Sequence, residues 1–203
     1  SMASQTFNQP VAPGPVKTVK VVIAGGFAAG KTTFVKAVSD IRPFTTEAPI
    51  TEASIGIDDA GVVSDRKTTT TVAMDFGRAP LNDSLWLYLF GTPGQERFKF
   101  MWNQLSVGAL GAIVLLDTRR LEDSFMAVDY FESKGLPFVV AINCFDGIPT
   151  HSTEDVRTAL DVPGDVPVML IDARQKDHAK AALTELVKHG LARAQAAQAA
   201  AAG

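Results

Sequence analysis

The β-branched run Val19-Lys20-Val21-Val22-Ile23-Ala24 leads directly into Gly25-Gly26-Phe27-Ala28-Ala29-Gly30-Lys31-Thr32. Thr33-Phe34-Val35-Lys36-Ala37-Val38 then continues at helical spacing. Strand, glycine loop and helix in this order, with the spacing G-x-x-x-x-G-K-[ST], commit the chain to a βα unit whose loop curls into a concavity of backbone N–H groups. Such a concavity, backed by the positive end of a helix, is a site for the phosphates of a nucleotide. Gly25, Ala28, Ala29 and Gly30 form the cradle, with Lys31, Thr32 and Thr33 at the start of the helix. Lys31 supplies a point charge to the β and γ phosphates, and the Thr32 hydroxyl is one ligand of a bridging Mg2+.

The rest of the chain sets limits on partners and compartment. Its 203 residues are 46% hydrophobic, enough for one well-filled core. A net charge of -3 leaves no basic surplus for nucleic acid or an anionic membrane, so no nucleic-acid partner is expected. The single cysteine, Cys144, excludes an internal disulfide framework and fits a reducing cytoplasm. No apolar run reaches the length of a membrane span. Met2-Ala3 offers no glycine for myristoylation and the C-terminus has no prenylation box, so membrane contact is expected only through partners.

Residues 1–18, with Pro10, Pro13, Gly14 and Pro15, read as a flexible leader, and 198–203 as a disordered alanine-rich tail. Between them, 19–197 alternates apolar runs with helical patterns. Thr70 to Phe76 and Leu85 to Phe90 form an antiparallel hairpin around Pro80, Asn82 and Asp83. Leu110 to Asp117, Pro137 to Ile142 and Pro167 to Ile171 give three more buried strands, and helices fall at about 121–134, 152–161 and 177–196. The expectation is an α/β, three-layer P-loop NTPase fold: a six-stranded, mostly parallel sheet with one antiparallel strand and helices on both faces. Residues 39–68 read as a long nucleotide-responsive loop, the alternative being an insertion with a short strand around Ala53 to Ile57.

Asn143-Cys144-Phe145-Asp146 follows the strand ending at Ile142 in the pattern N-x-x-D. A carboxylate at Asp146 can accept hydrogen bonds from N1–H and the exocyclic amine of guanine, a pair adenine lacks, which argues for GTP and GDP. Asn143 would brace the neighbouring loops, and Asp172-Ala173-Arg174 would bring the Ala173 N–H to the guanine carbonyl. Gly91-Thr92-Pro93-Gly94-Gln95 follows the hairpin. There the Gly94 N–H can meet a γ-phosphate and Gln95 can hold an attacking water in line.

Over about residues 19–190 these elements resemble the Ras-like superfamily of small GTPases. Gln95-Glu96-Arg97-Phe98 and Gly108-Ala109-Leu110-Gly111 resemble Rab-type stretches. Thr69 to Gly77, Gly91 to Gln95 and Asp172 to Arg174 are similar to the bacterial ATP/GTP-binding proteins of actinobacterial conservon clusters, relatives of the MglA gliding-motility GTPases. The resemblance implies a cytoplasmic molecular switch, slow GTP hydrolysis, a roadblock-type regulatory partner and a sensor-kinase-like partner.

Small GTPases commonly carry an aspartate where this chain has Gly91, which puts metal retention in question. If Thr71 marks the phosphate end of its strand, Asp75 lies about 13 Å away and does not ligate. Mg2+ then rests on Thr32 and Thr71. A nucleotide-holding scaffold with negligible turnover is the competing function. Cys144 stands where a lysine usually covers one face of the base, and Arg174 can cover the opposite face. Arg66 and Arg97 are candidates for an arginine that stabilises transition-state charge. Phe98, Phe100, Met101 and Trp102 are either a partner surface or core packing, and His151, His178 and His189 read as surface residues.

Overall fold

The computed structural model describes residues 14–52, 68–95 and 99–203. Its elements run β1 (Lys17–Gly25), α1 (Lys31–Val38), β2 (Phe44–Glu52), β3 (Thr68–Asn82), β4 (Leu85–Gly91), α2 (Phe100–Ser106), β5 (Ala109–Leu116), α3 (Glu122–Ser133), β6 (Phe138–Asn143), α4 (Thr153–Ala159), β7 (Val168–Ile171) and α5 (Lys176–Ala202). They form a seven-stranded sheet in the order β2-β3-β4-β1-β5-β6-β7. β3 runs antiparallel to both of its neighbours, and the pairs from β4 to β7 are parallel.

Alternate side chains of the central strands build two cores. On one face Val21, Ile23, Leu87, Leu89, Ile113 and Leu115 pack against α1 and α5 through Phe34, Val35, Leu183 and Leu186. On the other, Val22, Ala112, Val114 and Leu116 meet Trp102 of α2, Val128 and Phe131 of α3, and Val156 of α4. Burial on both faces is why these strands read as unbroken apolar runs rather than as alternating ones. The result is the expected three-layer α/β architecture, with the loops after β1, β5, β6 and β7 at one end of the parallel sheet.

The sheet has seven strands where six were expected. The added strand, β2, lies inside the stretch read as a loop. It pairs antiparallel with β3 from Phe44 opposite Phe76 to Glu52 opposite Thr68. Pro49 hides this strand from a sequence reading, yet an edge strand tolerates a proline. The alternative strand around Ala53 to Ile57 lies outside the described residues.

Helix α5 extends to Ala202, so 198–203 is helical almost to its end and not disordered. The high helix propensity of alanine accounts for the extension. β1 begins at Lys17, two residues ahead of the expected boundary. Among the described residues, no helix is long and apolar enough to cross a membrane.

Candidate functional site

Gly30 closes the loop after β1 in the left-handed conformation, with φ 106°, and a Cβ there would lie 2.5 Å from Asn143 Nδ2. Only glycine fits both demands. Among the described residues no side chain caps α1, whose first N–H groups lie at the loop. Lys31 folds back under the loop, where Nζ donates to the Gly25 carbonyl at 2.9 Å and the Gly26 carbonyl at 2.6 Å. Burial pushes the Lys31 ammonium down to about 8, against partial support from Asp75 and Asp123.

A cavity of about 640 Å³ opens over this loop. Among its lining residues are Ala28, Ala29, Gly30, Lys31, Thr32 and Thr33. Gly94 and Gln95 line it from the loop after β4, and Asn143, Asp146 and Arg174 from the loops after β6 and β7. The structure therefore brings together most of the residues singled out from the sequence. Gly25 joins them through its carbonyl contact with Lys31. Gly94 approaches the loop so closely that a Cβ would lie 2.9 Å from Lys31 Nζ and 2.8 Å from the Phe27 nitrogen. Arg66 and Arg97, like Phe98, lie outside the described residues.

Asp75 is the residue that sequence reasoning set aside. β3 and β4 pair antiparallel with Phe76 opposite Phe90, which puts Asp75 beside Gly91. A Cβ at Gly91 would meet Asp75 Cβ at 3.2 Å. Thr32 Oγ1 donates to Asp75 Oδ2 at 2.5 Å and Thr45 Oγ1 to Asp75 Oδ1 at 3.0 Å. Asp75 is thus the β3 residue that meets the phosphate loop. Thr71, paired with Pro49, lies four residues away, about 13 Å along the strand. The assignment of Mg2+ to Thr71 is corrected accordingly: the convergent oxygens are those of Thr32, Asp75 and Thr45, a hard donor set that fits this ion.

At the opposite end of the cavity, Asn143 ties two loops together. Its Nδ2 donates to the Ala29 carbonyl at 3.1 Å and its Oδ1 accepts the Ala173 N–H at 3.1 Å. The bracing role expected for Asn143 is observed. The Ala173 N–H, expected to meet the guanine carbonyl, donates to Asn143 in this structure. Asp146 sits at positive φ (58°) with its carboxylate exposed, and Arg174 reaches to 3.9 Å from it. Arg174 is held by Asp172 at 2.8 Å, and this contact keeps the Asp172 carboxyl down at about 2.

Three further expectations are resolved by burial. Met101 and Trp102 are core residues, and Trp102 Nε1 donates to the Pro93 carbonyl at 3.3 Å, so only Phe100 of that trio is exposed. His189 is buried rather than on the surface, and desolvation lowers its pKa. Cys144 is buried and does not line the cavity, so it offers no cover to a ligand there.

Sequence comparison places these features in a family. The family described as "Conserved hypothetical ATP binding protein" matches residues 23–193. The chain belongs to that family. Uncharacterized protein MJ1339 of Methanocaldococcus jannaschii is 32% identical over 130 residues, which cover 63% of this chain and 71% of that one. Among solved structures, the G domain of the T. maritima FeoB iron transporter matches with a TM-score of 0.54 at 16% identity, covering 88% of this chain and 99% of its own. The apo cytosolic domain of the same transporter gives 0.59 at 17%, covering 86% and 64%. A GDP form of that domain gives 0.56 at 15%, covering 87% and 65%. At such identities the likeness concerns the fold alone, and this member of the family has the P-loop fold of a G domain.

Proposed function

We propose that this protein is a guanine-nucleotide switch that binds GTP and GDP with Mg2+ and hydrolyses GTP slowly. The observation that carries the reading is the double contact of Asn143, which links the phosphate loop at Ala29 to the loop after β7 at Ala173. It sets Asp146 at one end of the same cavity that Lys31 and Thr32 line. A carboxylate there suits the N1–H and exocyclic amine of guanine, an adjacent pair of donors that adenine's edge does not offer. The family's description names ATP, and adenine nucleotides are therefore the competitor to test.

Mg2+, when bound, would neutralise phosphate charge, and Thr32, Asp75 and Thr45 would hold it. Lys31 would exchange its two carbonyl contacts for phosphate oxygens. The N–H of Gly94 would meet the γ-phosphate, and Gln95 would orient the water that attacks it. The bond to the bridging oxygen breaks, GDP leaves, and the water's proton passes to the phosphate product. Asp75 removes the main ground for a scaffold with negligible turnover, since a carboxylate does reach Thr32. Arg66 remains the proposed source of positive charge in the transition state. Through the conservon resemblance we assign the switch to the cytoplasm, with a roadblock-type regulator and a sensor-kinase-like protein as partners.

The test is binding of GDP, ADP and xanthosine diphosphate to the wild type and to Asp146→Asn. The wild type should favour GDP over ADP, and the variant should shift toward the xanthine nucleotide. Tighter ADP binding by the wild type, or an unchanged order in the variant, defeats the guanine assignment.

A further inference from the structure

Phe145 lines the cavity beside Asp146 and is half-buried. One face of its ring is covered by the Arg119 guanidinium, whose carbon lies 4.0 Å from the ring centroid. Arg119 is itself locked. Its Nε donates to Asp117 Oδ1 at 2.9 Å and its Nη2 to Asp117 Oδ2 at 2.8 Å. Its backbone N–H also reaches Asp117 Oδ1 at 2.9 Å. Asp117 is buried at the end of β5, the strand next to the one that delivers Phe145, and so ties the guanidinium to the sheet. A second planar group, the Arg174 guanidinium, lines the same cavity and is fixed in the same way by Asp172. Two flat surfaces, each held through a carboxylate-braced guanidinium, therefore line the cavity that Asp146 also lines, while Cys144, between Asn143 and Phe145, is buried and does not line it.

We propose that Phe145 is the residue that stacks on the nucleotide base, with Arg119 as its positioning residue, so that the base lies between the Phe145 ring and Arg174. The inference rests on the guanine-nucleotide reading and names the group that takes over the cover Cys144 does not give. A phenyl ring stacks on any base because every base has a π face. Phe145 therefore contributes affinity without selectivity, and Asp146 contributes selectivity. Arg119, with its fork occupied by Asp117 and its plane by the ring, acts through Phe145 and does not touch the ligand.

The experiment measures dissociation constants for GDP, ADP and Mg2+-pyrophosphate with the wild type, Phe145→Ala, Phe145→Trp and Arg119→Ala. Phe145→Ala should weaken GDP and ADP by the same factor, about 10-fold, which is the size of one lost base–aromatic contact. Pyrophosphate affinity should stay within about twofold in every variant, since it has no base to stack. Phe145→Trp should recover GDP binding, showing that a flat ring is what the position requires. Arg119→Ala should weaken both nucleotides by a smaller common factor that disappears in a Phe145→Ala background.

Unchanged GDP affinity in Phe145→Ala overturns the proposal. So does an equal loss for pyrophosphate, which would mean that the loop had merely collapsed. A wild type that takes pyrophosphate but no GDP instead overturns the guanine reading beneath it.

Discussion

At the scale of single residues, Lys31 ties chemistry to pH. In the ligand-free protein its ammonium is buried against two carbonyls and sits at about 8. Phosphate oxygens around the charge favour the protonated form, so a bound nucleotide raises the pKa. Binding above pH 8 then requires proton uptake, and affinity falls as pH rises. By pH 9 the free protein holds only about a tenth of its Lys31 protonated, so nucleotide affinity should be about 10-fold below its value near pH 7. Calorimetric titration at pH 8 in buffers of different ionisation enthalpy should register uptake of about half a proton. A dissociation constant that is flat from pH 7 to 9.5 contradicts this account. Lys31, Thr32, Asn143 and Asp146 were legible in the sequence because each belongs to a short pattern of fixed spacing. The pairing of Arg119 with Phe145 was not, because it joins loops after two different strands and no local spacing encodes it.

The displacement of the carboxylate from β4 to β3 belongs to the scale of elements. Parallel strands and their crossovers could be placed from apolar runs, since a strand buried on both faces needs them. The register of β3 against β4 could not, and that register decides whether Asp75 or Thr71 meets the phosphate loop. Taking Thr71 as the strand's phosphate end moved every residue of β3 by four positions. With Phe76 opposite Phe90, Asp75 comes to Gly91 and to Thr32. Asp75→Asn keeps the shape and removes the charge. It should raise the Mg2+ concentration needed for half-maximal GDP retention by about 10-fold or more, the usual order for losing one charged contact. Pyrophosphate or GDP binding without Mg2+ should change far less. The measurement is GDP release against Mg2+ concentration with chelator as the zero point, and identical curves for variant and wild type would remove Asp75 from the metal site.

Across the whole molecule, Asn143 joins the two ends of the cavity, and the consequence is coupling between the site and global stability. Its buried amide satisfies the Ala29 carbonyl and the Ala173 N–H at once. Asn143→Ala leaves both buried groups without that partner, at a cost of about 2–4 kcal/mol even in the absence of ligand. For a domain of this size each kcal/mol moves Tm by roughly 2–4 °C, so the variant should melt about 4–16 °C lower. Saturating the wild type with GDP and Mg2+ at about a hundred times the dissociation constant should add about 2.7 kcal/mol, or roughly 5–11 °C. At the same GDP concentration the Asn143 variant should show a smaller rise, because the loops carrying Ala29 and Ala173 are no longer tied and its affinity is lower. A variant that melts like the wild type without ligand would show that Asn143 does not link the loops energetically. One that melts lower yet gains the full GDP shift would show that the link holds the fold but not the nucleotide.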